Sequence, residues 1–328
     1  MWEIVLVIIV LALIYDFGNG LNDAANAIST VVATKVLTPL KAVILAALGN
    51  FIGPFLFGVA VATTTGKGIV DPALIDFRVL IAAVAAAIFW TYFTTFKGLP
   101  ISITHSLIGG LIGAGLVKAG LAAIVIPKVL TIFLFIGVAP LLGFLGGLAF
   151  TVIIFWSFRR YKPSKVNAYF KRLQLISASL YSIGHGANDA QNSMGIISIT
   201  LFTFGYLGNE FYVPSWVVII CATAISLGTL AGGWKVVKTM GIKMTKLKPV
   251  DGFSAETSGG LTLFFCTILG VPVSTTHVIA GSIMGVGSTR SLSAVRWGVA
   301  RNIVGAWFLT IPVSMLVSAG IYLVILSF

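Results

Sequence analysis

Two stretches carry the polar chemistry of this chain: GLNDAANAIS, residues 20–29, and GANDAQNSMG, residues 186–195. Each places an acid among two or three amides in an apolar run. Asn22, Asp23 and Asn26 stand in the first, and Asn188, Asp189, Gln191 and Asn192 in the second. Residues four apart share one helix face, so Asn22 pairs with Asn26 and Asn188 with Asn192. An Asp at the centre of a membrane helix costs roughly 2.5–3.5 kcal/mol on insertion scales. No Lys or Arg adjoins either Asp, so the expected countercharge is a bound cation. Carboxylate and amide oxygens, with backbone carbonyls freed near the glycines, are hard ligands; they suit Na⁺ better than a soft transition metal. Sodium is therefore the only metal expected.

A second pair of motifs suggests an anion seat. Pro100 and Pro272 restart the chain, and Ser-x-Thr-His follows each. A helix beginning there would aim free N–H groups and its positive dipole end at the tip of a hairpin. Hydroxyls of Ser102, Thr104, Ser106, Ser274, Thr275 and Thr276 add donors, a set fit for phosphate or another tetrahedral oxyanion. His105 and His277 could touch the anion, carry a proton or cap a helix. Two carboxylates beside a bound oxyanion repel strongly in low dielectric. Anion binding then requires cations to enter with it, which is the logic of symport.

The elements that position these groups must lie in lipid. Of 328 residues 58% are apolar and 9% charged, and the mean hydropathy is +1.06. Soluble domains carry about a quarter charged residues. The chain is an all-α polytopic membrane protein. Its formal charge of +12 does not imply nucleic acid, because the excess sits in short loops between apolar spans. The first residues, MWEIVLVIIVLALIYD, lack a basic n-region and a small-residue cleavage site, and are expected to open a membrane helix. Cys221 and Cys266 lie in apolar segments and are expected to be buried small residues.

Apolar segments fall near 2–15, 21–34, 42–62, 79–96, 101–117, 120–137, 141–157, 173–183, 187–205, 214–233, 258–269, 273–287 and 302–326. Several fall short of the ~20 residues that cross the hydrocarbon core, so broken helices and re-entrant hairpins are expected. Among the acids, Asp16 is placed with the loops, whereas Asp23 and Asp189 are not. The basic stretch 157–173 carries six Lys and Arg and no acid. It reads as a cytoplasmic linker between a first repeat, 1–156, and a second, 174–328. Five Lys in 235–248 place that loop inside too, and the Lys- and Arg-free 205–214 outside. Lys35 and Lys41 put the loop after the first motif inside. The halves would then run in opposite directions, with both termini outside.

The repeat is visible in the letters. GNGLNDAAN (18–26) and GHGANDAQN (184–192) match at six of nine positions. GLPISITHSLIGGLIGAG (98–115) and GVPVSTTHVIAGSIMGVG (270–287) match at eight of eighteen. The offsets are 166 and 172, so both pairs belong to one repeat with a six-residue indel. Paired inverted repeats with broken helices mark secondary transporters that bind at the repeat interface.

At these residues the chain resembles the inorganic phosphate transporter (PiT) family, which includes the sodium-dependent phosphate transporters. The family's duplicated signature stands here as GLNDAAN (20–26) and GANDAQN (186–192), the first copy departing at Leu21. The Pro-x-Ser-x-Thr-His segments resemble its paired re-entrant hairpins. The resemblance implies two inverted-topology repeats in a multi-pass cell (inner or plasma) membrane protein that imports inorganic phosphate with Na⁺. It implies no enzyme activity and no cofactor. The Asn and Asp residues would hold ions and the hairpin Ser and Thr residues the anion. Proton-coupled phosphate or metal-phosphate symport, or sulfate transport, stays open, as does a homo-oligomer.

Other residues take plainer roles. Glu256 is a gate or a helix-start acid, the latter preferred. His185 has Asn19 as its repeat partner and is set aside from the centre. Arg296, Arg301, Trp90, Trp234 and Trp297 suit the membrane interface. Gly109/Gly113 and Gly281/Gly285 are spaced for close helix packing. An anion channel needs no duplicated acids, and an intramembrane metalloenzyme lacks its HExxH or comparable cluster.

Overall fold

In the computed structural model, which describes residues 2–269 and 273–327, apolar runs separated by Gly, Pro and polar turns become twelve α-helices. The first six are α1 (Trp2–Ala33), α2 (Pro39–Leu56), α3 (Ala60–Lys67), α4 (Phe77–Lys97), α5 (Ile103–Ala119) and α6 (Ile126–Ser157). The second six are α7 (Pro163–Thr203), α8 (Ser215–Ala231), α9 (Trp234–Lys238), α10 (Pro249–Ile268), α11 (Thr275–Ser288) and α12 (Trp297–Leu326). Among the described residues six helices are long and apolar enough to cross a membrane, and seven if α8 and the segment Trp234–Lys243, bent by 62°, make one broken span.

The second six repeat the first in order and in detail. Ser102 caps α5 by accepting from the His105 N–H at 3.1 Å, and Ser274 caps α11 by accepting from the His277 N–H at 3.1 Å. Pro140 inside α6 has its counterpart in Pro312 inside α12. Packing between the halves comes in mirrored pairs: α2 against α7 and α8 against α1, α5 against α12 and α11 against α6.

The repeat mates α1 and α7 cross antiparallel. Thr34 donates to Gln174 Oε1 at 2.9 Å, Glu256 bridges Thr30 and Ser177, and Asp23 faces His185. Position falls along α1 as it rises along α7, so the halves are inverted, as the loop charges imply.

Three expectations need correction. The signature motifs do not sit at helix breaks: 2–15 and 21–34 are one helix, α1, and 173–183 and 187–205 both belong to α7. Likewise 141–157 and most of 120–137 merge in α6. The glycines of the motifs free no backbone; they let helices touch. A Cβ on Gly20 would strike the Ile225 carbonyl, and one on its mate Gly186 the Asn50 carbonyl. Between helices in lipid, association rests on such close packing rather than on hydrophobic drive. Gly109 and Gly113 abut α12 in this way, and Gly281 and Gly285 abut α6. Finally, the basic stretch 157–173 is only in part a linker, because α7 begins at Pro163.

The helices α4 and α5 form one hairpin through Gly98, whose φ of 72° closes α4. The helices α10 and α11 form the other. Its Gly270 and Pro272, the latter expected to restart the chain, lie outside the described residues. Leu130 and Leu134 of α6, and Phe308 and Leu316 of α12, are exposed, as a lipid-facing belt requires. Arg296, Arg301, Trp234 and Trp297 are exposed as well, whereas Trp90 turns inward to donate to Thr310 at 3.3 Å.

Candidate functional site

The crossing of α1 and α7 brings the two signature motifs together, and both hairpin tips dock on them. Asn22, Asp23, Asn26, Asn188, Asp189 and Asn192 are all buried. Asn26 donates to Thr276 Oγ1 at 3.0 Å, and Thr276 donates to Asp23 Oδ1 at 3.1 Å. In the repeat-related place Asn192 donates to Thr104 Oγ1 at 2.9 Å. Each motif is thus tied to the hairpin of the other half.

The amide anchors leave oxygen ends inward. Asn22 Nδ2 lies 2.7 Å from Thr95 Oγ1, which gives its own hydrogen to the Thr91 carbonyl at 2.7 Å. Thr95 can therefore only accept, and Asn22 keeps its Oδ1 free. Asn188 donates to Thr267 at 3.0 Å in the same way. Among the described residues Asn22 Oδ1, Asn26 Oδ1, Asn188 Oδ1 and Asp189 Oδ1 have no hydrogen-bond partner. Asn192 differs, since its Oδ1 accepts from Thr65 at 3.1 Å.

The halves differ where it matters most. Hairpin two has Thr275 where hairpin one has Ile103. Thr275 Oγ1 lies 3.2 Å from Asp23 Oδ2 and 3.2 Å from Asp189 Oδ2, and its single hydrogen serves one at a time. It was expected only at the anion seat. His185, set aside on sequence, is central: its Nε2 is 3.7 Å from Asp23 Oδ2 and 3.4 Å from Asp189 Oδ2. Its Nδ1 meets Asn50 Oδ1 at 3.0 Å. Ligand atoms of Asp23, His185 and Asp189 all lie within 4.8 Å of one another, a group able to hold a metal ion.

At the hairpin tips Ser102, Thr104, Ser274, Thr275 and Thr276 are buried. The His105 and His277 rings meet edge-on, centroids 5.0 Å apart, and His277 stacks on Trp307 at 4.0 Å. Ser102 and Ser274 accept the cap bond yet keep an O–H to donate. The other N–H groups of the first turns of α5 and α11 have no acceptor within their own helices.

Two expected site residues serve elsewhere. Gln191 donates to the Gly58 carbonyl at 2.9 Å and to Ala187 at 2.7 Å, and accepts from the Ala62 N–H at 3.0 Å. Its amide braces α3 on α7, with both ends engaged by the backbone. Ser106 meets Ser314 of α12 at 3.0 Å, away from the tip.

Four functional partners escaped the sequence reading: Thr95, Thr267, Thr65 and Asn50. The first two could have been found, because they match at the same offset of 172 as the hairpins. Glu256 is not a helix-start acid. It is buried and accepts from Thr30 at 2.5 Å, Ser177 at 2.5 Å and Gln174 at 2.9 Å, bolting α10 to α1 and α7. Asp251 takes the helix-start role, accepting from the Lys248 N–H at 2.6 Å and pairing with Arg290. Asp16, placed with the loops, is wholly buried inside α1.

The chain is similar to known proteins along nearly its whole length. A probable low-affinity inorganic phosphate transporter of Rhizobium meliloti (strain 1021) is 54% identical over 315 residues, 96% of this chain and 94% of the relative. One of Bacillus subtilis (strain 168) is 41% identical over 98% of this chain and 96% of its own. A solved structure described as the sodium-dependent phosphate transporter superposes with a TM-score of 0.89 at 28% identity, covering 98% of this chain and 99% of that one. Residues 19–318 match the model of the phosphate transporter family. With its inverted helical repeats and its buried double motif, this chain belongs to the phosphate transporter family and is a multi-pass membrane transporter of phosphate, not an enzyme.

Proposed function

We propose that the chain imports inorganic phosphate by symport with Na⁺, through alternating access of its two inverted repeats. The observation that carries this reading is the set of buried amide and carboxylate oxygens on α1 and α7 that lack partners while their N–H₂ ends are tied down. Such oxygens are costly unless a cation satisfies them. Na⁺ binds among Asp23, Asp189, Asn22, Asn26 and Asn188. Phosphate binds between the hairpin tips, held by Ser102, Thr104, Ser274, Thr276 and the first-turn N–H groups of α5 and α11. Thr276 touches both Asn26 and Asp23, so filling the cation site sets the hairpin that receives the anion.

His185 between the two carboxylates favours a second reading, coupling to a proton or carriage of phosphate with a divalent metal, since imidazole with carboxylates suits either. Labelled phosphate uptake into proteoliposomes, driven by an inward Na⁺ gradient against an equal K⁺ gradient at two pH values, separates these. Uptake that needs Na⁺ supports the first reading. Uptake driven by a pH gradient without Na⁺, or only with added Mg²⁺, replaces it with the second.

A further inference from the structure

Asp16 is the acid that the transport reading leaves unused. It is wholly buried in α1, and neither carboxylate oxygen has a hydrogen-bond partner among the described residues. No Lys or Arg pairs with it among the described residues: their ion pairs are Lys118–Asp76, Arg290–Asp251 and the His185 contacts. An isolated buried carboxylate is among the costliest groups a protein can hold.

Two further orphans converge on it. Asn19 follows three residues later, on the same face of α1, and neither end of its buried amide has a partner. Ser193 on α7 is buried with its hydroxyl unpaired. The antiparallel register brings Ser193 opposite Asp16. Thr34 meets Gln174 and Asp23 faces His185, pairs whose numbers both sum to 208, and continuing that register sets Asp16 against residues 192–193. The Ser193 hydroxyl accordingly faces the Asp16 carboxyl, though beyond ordinary hydrogen-bond distance.

We propose that Asp16, Asn19 and Ser193 form a second cation site, for Na⁺, separate from the central group of Asp23, His185 and Asp189. The donor set is a carboxylate, an amide oxygen and a hydroxyl, all hard ligands. Seven residues separate Asp16 from Asp23, about 10 Å along the helix axis, toward the face that the loop charges place outside. The second half has no equivalent: the mates of Asp16 and Ser193 are Ser182 and Ala27. The site therefore serves one side of the membrane, holding a cation on the outer approach to the central pair.

The inference rests on the Na⁺-coupled reading, and the test separates the two. Binding of labelled Na⁺ to the purified full-length chain, without phosphate, is compared for wild type, Asp16→Asn, Ser193→Ala and Asp23→Asn. Asp16→Asn is expected to lose one bound Na⁺ per chain while keeping the one that Asp23→Asn removes. Ser193→Ala should weaken the same Na⁺ about tenfold, the worth of roughly 1.4 kcal/mol. In Na⁺-free K⁺ buffer Asp16→Asn should melt no lower than wild type, and gain less from added Na⁺. Unchanged Na⁺ binding in both Asp16→Asn and Ser193→Ala overturns this site and leaves the central one standing. No Na⁺ bound by wild type overturns both. Should Asp16→Asn fail to fold, Ser193→Ala decides.

Discussion

The sharpest consequence of the central geometry concerns Asp189→Asn. Asp23 and Asp189 are both buried and offer oxygens within 4.8 Å of each other. At an effective dielectric of about 20, two unit charges at that separation repel by about 3.5 kcal/mol. His185 Nε2 stands 3.4 Å from Asp189 Oδ2, inside that separation, and a charged imidazole would outweigh the repulsion, so the comparison is made at alkaline pH with the imidazole neutral. Replacing one charge with an isosteric amide removes the repulsion and also removes half of the attraction for a cation. Without Na⁺ the variant should therefore be more stable than wild type, by up to that amount. Its apparent Na⁺ affinity should fall by about 100-fold, for a loss near 3 kcal/mol of attraction. Thermal unfolding in matched Na⁺ and K⁺ buffers reads the first effect, and phosphate uptake against Na⁺ concentration the second. A variant less stable than wild type in K⁺, with its Na⁺ dependence unaltered, would refute the reasoning and make Asp189 a structural residue.

Three other outcomes follow from particular contacts. Gln191→Ala removes the acceptor that caps the Ala62 N–H of α3, so it should cost about 1–2 kcal/mol of stability with the Na⁺ dependence of uptake unchanged; a shifted Na⁺ dependence at full stability would restore Gln191 as a ligand. Thr104→Val and Thr276→Val keep shape but delete a hydroxyl at each hairpin tip, and each should weaken apparent phosphate affinity about tenfold, the two variants agreeing because the sites are repeat mates. Gly186→Leu forces a side chain into the Asn50 carbonyl and should prevent α2 from seating on α7. The expected result is loss of the folded peak on size-exclusion chromatography, and wild-type elution with normal uptake would contradict the close packing.

Much of the grouping at the candidate site was legible in the sequence. Asn22, Asp23, Asn26, Asn188, Asp189 and Asn192 do come together, because an acid repeated in two apolar runs has nowhere to go but a shared interior. The hairpin motifs join them for the same reason. What went unread was pairing. Gln191 looks like its neighbours in the string, yet its position on α7 turns the amide toward α3. His185 looked peripheral because its repeat mate is Asn19, but asymmetry was the signal: an inverted repeat can hold one imidazole at its centre only by breaking the match.

The sequence alone determined that this chain lies in a membrane, that it is two copies of one unit, and that each copy carries a polar Asn-Asp motif and a Ser/Thr-rich hairpin. Composition and repetition are local properties, and each can be counted in the letters. Only the tertiary structure decided which oxygen faces which. It ran α1 and α7 past each other as unbroken antiparallel helices, set Thr275 between two carboxylates, and buried Asp16 and Glu256, which the string places near polar turns. Those outcomes depend on helix register and crossing, where a shift of one residue turns a side chain about 100° around the axis. No local pattern holds that angle; the packing of one repeat against its inverted copy sets it.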